Sequence, residues 1–488
     1  MAIRLNQNSL HDLPATVAAP GYARAALGAG IVHFGVGNFH RAHQAAYLDA
    51  LFAKGLGHDW AIVGAGVMPG EERLRSVLEA QDWLTLHVAQ SAGASEARVI
   101  GSMIDYLPIA DGAAIVARLV DPAIRIVSLT VTEGGYFLDA EGGFDPEHPA
   151  ILADTLNPEA PATVFGLIIK ALRLRREAGT APFTVMSCDN LPHNGTLTRG
   201  TVVGLARLVD PSFADWIASS VAFPNGMVDR ITPATSDRER ALAREEFGVA
   251  DGHPVFSEDF IQWVLEDDFP QGRPPLEAVG VTFVADVTPY EHMKLRILNA
   301  SHAMLAYPAA LLGITYAHDA VVHPLIAAML GKIQREEIIP GVAQVPEITP
   351  EDYFGITLRR FANPKIADTI ARLCYDGANR QPKFIVPALR HALDAGLVID
   401  GLALACALWC RYCAGTREDG SVIEPNDPAW DRLNAVALAA RREPGLWLAQ
   451  SDIYGSLGKD ERLQAAFARA LDALWRDGVE ATVSAFVA

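Results

Sequence analysis

The stretch YEHMKLRILNASHAML concentrates the groups in this chain best suited to chemistry. Successive helix residues advance by about 100°, which places Lys294, Asn299 and His302 at about 0°, 140° and 80°, on one arc. The rest of that helix is apolar, built from Met293, Leu295, Ile297, Leu298, Met304 and Leu305. An amine, an amide and an imidazole are expensive to bury there without purpose. A lysine desolvated in such surroundings has its pKa lowered toward neutrality, the condition for a general base at pH 7. The plain alternative is a Lys294 that snorkels to water beside a locally satisfied Asn299 and His302.

Other polar groups fall where strands end. SLTVTEGGYF presents Thr130, Thr132, Glu133, Gly134, Gly135 and Tyr136 after a strongly β run. In an open α/β sheet the ligand crevice lies beyond the carboxyl ends of the strands, so these residues are placed to meet a ligand or to form a plain loop. SCDNLPHNG offers Asn190, an amide able to donate to an alkoxide or carbonyl oxygen, and Asn194-Gly195, a turn signal. FPNGMVDRITP sets Asp229 beside Arg230, which reads as a surface pair.

HFGVGNFHRAH supplies Gly35 and Gly37, the first two glycines of G-x-G-x-x-G, with His40 in place of the third. Two glycines between strand and helix allow a tight turn and close approach of a pyrophosphate, with Asn38 and Phe39 opening the helix. Standing alone, the motif also fits a structural turn. His40 and His43 lack a companion carboxylate or thiol at helical spacing and are expected on the helix surface or in packing, not on a metal. Past the next strand, GAGVMPGEER places Glu71 and Glu72 where a carboxylate would accept ribose hydroxyls, favouring NAD over NADP. Either glutamate could instead be a helix-start charge.

These residues require a scaffold. Runs at Ile31–Gly35, Trp60–Gly64, Leu84–Val88, Ile124–Thr130 and Phe183–Cys188 read as strands alternating with helices, the pattern of βαβ units and a parallel sheet. Between the first two, Asn38–Lys54 repeats small and apolar residues at helical spacing. Glu266–Pro275 reads as an exposed loop. From about Tyr290 long Ala/Leu-rich helical segments dominate, and the change of texture falls near Phe283–Pro289. The expected organisation is α/β: a Rossmann-type dinucleotide-binding domain over 1–285, then a mostly α-helical domain over 286–488 that carries substrate and catalytic groups.

Composition narrows the function classes. Forty Lys and Arg against 58 Asp and Glu leave a formal charge of −18, which repels polyanions and argues against a nucleic-acid partner. No run approaches the ~18 apolar residues of a membrane span, and MAIRLNQNSLHDLP has no signal-peptide core. Five cysteines suit a reducing compartment, and a cytoplasmic protein is expected. Cys406, Cys410 and Cys413 have spacing that could hold an iron–sulfur cluster, but they sit in an apolar helix and read as core. No coiled-coil heptad signals a partner, so a monomer or weak homo-oligomer is expected.

Taken together, G-x-G-x-F-x-R-A-H, T-V-T-E-G-G-Y, S-C-D-N, F-P-N-x-M-V-D-R-I-x-P and Y-E-x-M-K-x-x-x-L-N-x-S-H resemble the mannitol dehydrogenase family of polyol-specific long-chain dehydrogenases. The match runs in order from Ile31 to about Pro387. The resemblance implies a Rossmann-type domain, a helical domain and an active site between them. It implies Lys294 as general base, Asn190 and Asn299 as an oxyanion pair, and His302 as a substrate-orienting group. Asp229 and Arg372 would bind substrate, with Arg380 and Lys383 nearby. Gly35, Gly37, Asn38, Phe39, Glu71, Glu72, Thr132 and Glu133 would serve NAD. No zinc is expected. The implied reaction is oxidation of a polyol at carbon 2, D-mannitol to D-fructose. A hexuronate (fructuronate/mannonate) or another polyol such as arabinitol or sorbitol is an alternative. A non-catalytic nucleotide-binding module would not need the Lys294, Asn299, His302 face.

Overall fold

β-Branched and aliphatic runs separated by glycine turns build the first part of the chain. The computed structural model describes residues 2–139 and 142–488. It divides into two compact units, the division falling between Val287 and Thr288. The longer strands of the first unit are Ala29–Phe34 (β1), Ala61–Ala65 (β2), Thr85–Gln90 (β3), Ser95–Ile100 (β4), Met103–Tyr106 (β5), Ile126–Leu129 (β6), Thr184–Ser187 (β7), Gly226–Asp229 (β8), Val255–Glu258 (β9), Gln262–Glu266 (β10) and Thr282–Val284 (β11).

Five of them form one parallel sheet in the order β5-β2-β1-β6-β7. Counted along the chain this is 3-2-1-4-5, the doubly wound order of a Rossmann half, and the order reverses between β1 and β6. Alternate residues face opposite sides. Ile31, Ile62, Ile126 and Met186 pack with Leu48, Leu51 and Phe52 of helix α2 (Gln44–Ala53), which follows the short helix α1 (Asn38–Ala42). Val32, Phe34, Val63, Val127 and Val185 pack with Ile115 and Leu119 of α3 (Gly112–Val120) and with Phe165, Ile168 and Leu172 of α4 (Val164–Glu177). Each fully buried aliphatic side chain contributes about 1.5–3 kcal/mol, so the strand ends carrying polar residues are held on a firm base.

Three sequence expectations change here. The Leu84–Val88 run is a strand, β3, but it pairs antiparallel with β4 and parallel with β9 in a separate four-stranded sheet. The short turn between Gln90 and Ser95 folds β4 back on β3, and the third parallel strand is the four-residue β5, too short to stand out in sequence. The expected helix Asn38–Lys54 breaks at His43 (φ −118°, ψ −91°). That ring packs against Phe39, Tyr47 and Trp263 and bonds the Gln262 carbonyl at 3.0 Å, so tertiary contacts override local periodicity. Asn194-Gly195 is not a turn; it opens helix α5 (Asn194–Val209) in the interior. Asn194 there donates to Asp189 O and Gly226 O, and a Cβ on Gly195 would collide with the Phe223 and Pro224 carbonyls.

The second unit is helical. Its elements used below are α6 (Thr288–Met293), a π turn (Lys294–Asn299), α7 (Ala300–Leu311), α8 (Pro324–Ile333), a second π turn (Gln334–Ile338), α9 (Pro350–Phe361), α10 (Ile370–Cys374), α11 (Gly377–Phe384), α12 (Asp400–Cys413) and α13 (Glu461–Val487). Among the described residues its only β pairing is in isolated bridges such as Tyr316 with Thr369. α12 is buried from Gly401 to Cys413 and packs against α7 and α13, as expected of a helix that is apolar all round. Cys406, Cys410 and Cys413 are therefore core residues, unpaired and buried, and burial pushes the Cys406 thiol up to about 12. Among the described residues no helix is long and apolar enough to cross a membrane. Nor does any group of three or more His, Cys, Asp and Glu side chains there have the arrangement to hold a metal ion.

Candidate active site

Gly35 ends β1 at the point where the strand order reverses. Its φ is +89°, and a Cβ there would collide with the carbonyl of Thr130 beyond β6, so only glycine fits. Gly37 differs. As N-cap of α1 it has ordinary extended dihedrals, and a Cβ would meet nothing closer than Gly35 O at 3.7 Å. The fold demands the first glycine, while the second leaves open space before a helix start that no side chain caps. That is the cradle a pyrophosphate needs, and the residues present fit a dinucleotide.

The floor of this turn is built of histidines. His40 stacks on His33 at 3.6 Å, and His33 bonds Ser128 Oγ at 2.8 Å and Thr130 Oγ1 at 2.9 Å. Burial lowers both pKa values, that of His33 to about 3, so the pair stays neutral at physiological pH. Neither His40 nor His43 lies on the helix surface. Asn38 ties the turn to the next layer: its amide donates to Pro233 O and Thr235 Oγ1 and accepts from the buried Arg41. Phe39 is half-buried and stacks on His43.

Across the reversal point Thr130 Oγ1 donates to Gly35 O at 2.6 Å. Thr132 has φ +63°, an uncommon conformation for a β-branched residue that costs of order 1–3 kcal/mol. Asp189 holds it. Its carboxylate accepts from Val131 N and Thr132 N, each at 2.9 Å, and from Tyr136 Oη at 2.6 Å. Burial raises the Asp189 pKa, against the pull of those donors. Asn190, the amide expected from sequence to face a ligand, follows Asp189 in SCDN just past β7. Past the strand end the chain bends, and Asp189 is buried in the loop network while Asn190 is exposed. Glu133, first residue of a short 3-10 turn, is also exposed.

At the tip of β2 the two glutamates separate. Glu71 accepts from Met68 N at 2.8 Å and lies within 2.7 Å of a Cβ placed on Gly66, so its carboxylate folds over the strand end. Glu72 is an exposed helix-start charge, 3.6 Å from Arg75. Asp229 and Arg230 correct a further expectation, for they are 5% and 9% exposed and do not form a surface pair. Asp229 closes β8 beside β10, and Arg230 donates to Glu258 O and Ala42 O, its fork satisfying buried carbonyls.

In the second unit the expected α-helical arc is replaced by a π turn. Ala300 N–H is shared between Leu295 O, a reach of five residues, and Ile297 O, so Lys294 and Asn299 are drawn toward one face instead of standing about 140° apart. Lys294 is only 6% exposed, so it does not snorkel to water. Asn299 Oδ1 is buried with no hydrogen-bond partner among the described residues. Buried amides are normally satisfied, so this oxygen has capacity for a further hydrogen bond. His302 lies flat on Phe361 of α9, 3.8 Å between ring centres.

The expected cationic residues are less free than their sequence suggested. Arg372 Nε donates to Asp368 Oδ1 at 2.6 Å and its other arm to Oδ2, a bidentate pair. Arg380 donates to Leu373 O at 3.1 Å, and Lys383 is exposed in the last turn of α11.

Comparison with known proteins agrees along the whole chain. Residues 29–278 match the mannitol dehydrogenase Rossmann domain and residues 286–475 the mannitol dehydrogenase C-terminal domain. A mannitol 2-dehydrogenase of Cereibacter sphaeroides is 58% identical over 97% of this chain and 99% of its own length. The ternary complex of Pseudomonas fluorescens mannitol 2-dehydrogenase with NAD and D-mannitol superposes with a TM-score of 0.89 at 41% identity, covering 99% of both chains. A D-sorbitol dehydrogenase in substrate-free form gives 0.91 at 37% identity, covering 99% of this chain and 100% of that one.

Proposed function

Because the chain belongs to the mannitol dehydrogenase family, we propose that it is an NAD-dependent, zinc-independent polyol 2-dehydrogenase whose substrate is D-mannitol and whose product is D-fructose. The observation that carries the reading is the π turn, which begins at a buried Lys294 and ends at an Asn299 amide with an unsatisfied oxygen.

NAD, when bound, accepts the hydride from carbon 2 of the polyol. Gly35, Gly37 and the start of α1 bind its pyrophosphate, and Glu71 at the tip of β2 stands where the adenosine ribose is read. Lys294 takes the proton of the reacting hydroxyl. Asn190 and Asn299 donate to the oxygen as it gains negative charge, a contribution of about 10²–10³-fold for each well-placed donor. Which atom of the Asn299 amide is oxygen is settled only by its partners, so its open side serves equally as the donor this role needs. His302, held by Phe361, orients the neighbouring hydroxyl, and Asp229 holds the polyol chain. This division of labour needs no Lewis acid.

A hexuronate substrate is disfavoured by the Asp368 carboxylate on Arg372, since a substrate carboxylate would have to displace it. The similarity to a sorbitol dehydrogenase makes sorbitol the competing polyol. Five unpaired, buried cysteines suit the cytoplasm, and we expect a monomer or weak homo-oligomer there.

The test combines a panel with one variant. NAD-linked oxidation should be fastest with mannitol among mannitol, arabinitol, sorbitol and mannonate; a preference for mannonate overturns the substrate. Lys294→Ala should lower kcat by about 10²–10⁴-fold and leave NADH binding intact. Near-full turnover of that variant at neutral pH removes the base, and activity lost on prolonged chelation and restored by zinc removes the metal-free mechanism.

A further inference from the structure

We propose that Gln334 is a positioning residue for Lys294 and Asn299, acting through the π turn that carries both; the proposal rests on reading Lys294 as the base. In an α-helix Arg296 O would accept from Ala300 N–H and Ile297 O from Ser301 N–H. Here Ala300 N–H is shared instead between Leu295 O and Ile297 O, which leaves Arg296 O without it. An unpaired buried carbonyl costs about 1–3 kcal/mol, so a lone π turn drifts back to the α register.

Gln334 supplies the missing donor. Fully buried, it donates Nε2 to Arg296 O (3.2 Å), Ile297 O (3.3 Å) and Ser301 Oγ (2.9 Å). Those acceptors bracket the end of the turn; Arg296 O is the carbonyl that the π register gives up, while Ile297 O also accepts from Ala300 N–H. The amide therefore rewards the π register and competes with the α one.

Its Oε1 finds no partner among the described residues, so its placement comes from the Nε2 contacts and from the turn it opens. Gln334 opens the second π turn, and Glu337 of that turn accepts from Gly401 N at 2.7 Å and Leu402 N at 2.8 Å at the start of α12. Arg296 adds a tie in the other direction, donating to Gly341 O at 2.7 Å just beyond the second turn. The two π turns brace each other. Removing the amide donor returns Ala300 N–H to Arg296 O, and Lys294 then rotates away from Asn299 by roughly one residue, about 100°.

Gln334→Met keeps the length and apolar fit of the side chain and deletes the donor. The expected result is a kcat lowered about 10–100-fold with the NADH dissociation constant unchanged, since misplacing a catalytic group by an ångström is costly to turnover. The acid limb of the kcat/KM against pH profile should also move, because the base has changed surroundings. A merely structural loss would lower activity evenly at all pH values and leave that limb in place. A folded Gln334→Met enzyme with wild-type kcat and an unmoved limb overturns the proposal. If that variant does not fold, Ser301→Ala removes one of the three acceptors and should give the same displacement with a smaller fall in kcat; an unchanged profile overturns the proposal equally. Lys294→Ala run alongside separates the two ideas: an active Lys294→Ala defeats the base assignment, whereas an inactive one with normal Gln334 and Ser301 variants defeats only the positioning role.

Discussion

The cradle at the end of β1 and the Lys294 turn do their work with different parts of the chain. In the first, backbone forms the surface: Thr130 O sits where a side chain on Gly35 would go, and Gly37 leaves open the space that the proposed pyrophosphate would fill. In the second, the working groups are side chains, and the backbone's task is to set the register that brings Lys294 and Asn299 together. A backbone site is built by close local approach and by residues that permit it. A register site is built by a competition between hydrogen-bond patterns, settled by a partner 38 residues further along the chain. The first should therefore fail by steric conflict and the second by relaxation.

Gly35→Ala should be the largest break. A side chain there is both in the left-handed region and against a carbonyl, and we expect a loss of about 3 kcal/mol or more, read as a lower urea midpoint. An unchanged midpoint would show that the meeting of β1 and β6 is not tight.

Glu337→Gln tests the register site through pH. Burial, followed by the charges of Asp400 and Glu336, raises the Glu337 pKa from 4.5 to about 7 even though two backbone N–H groups favour its anion. Between those values the folded protein holds a proton that the unfolded chain has released, so stability declines as pH rises from about 4.5 through 7, by roughly 3 kcal/mol in all. The Gln variant does not titrate, and its unfolding free energy should change less over that interval. Coincident slopes for the two proteins would contradict the raised pKa. The cradle should slope the other way: His33, held neutral by burial from 6.5 down to about 3, leaves the unfolded chain the better proton binder between those values, so its contribution to stability grows as pH rises from about 3 to 6.5.

Gly37→Ala should be the smallest break and the most telling. With nothing within 3.7 Å of the new methyl group, unfolding should stay within about 0.5 kcal/mol of the parent, yet NADH should bind about tenfold more weakly, near 1.4 kcal/mol. Unaltered NADH binding would place the pyrophosphate elsewhere.

How much could be read in advance follows the same divide. Ile31–Gly35, Trp60–Gly64, Ile124–Thr130 and Phe183–Cys188 were visible as strands because β-branched runs bounded by turn residues have few other uses, and Gly35 was visible because positive φ selects glycine. The helical texture after Tyr290 was equally plain. Hidden from sequence were the sheet to which Leu84–Val88 belongs, the break at His43, the interior placement of Asp229 and Arg230, and the Asp368 carboxylate on Arg372. Asp189 was missed because an aspartate past a strand end has no local mark of accepting three hydrogen bonds from chain more than fifty residues away. The amino-acid sequence by itself determined the Rossmann-type sheet and the helical second unit, products of local propensity and periodicity, and it set Lys294, Asn299 and His302 within one short segment. Only the tertiary structure decided how those three are presented, because an α turn and a π turn over KLRILN differ by a hydrogen bond or two, and it is Gln334, brought in from another helix, that tips that balance.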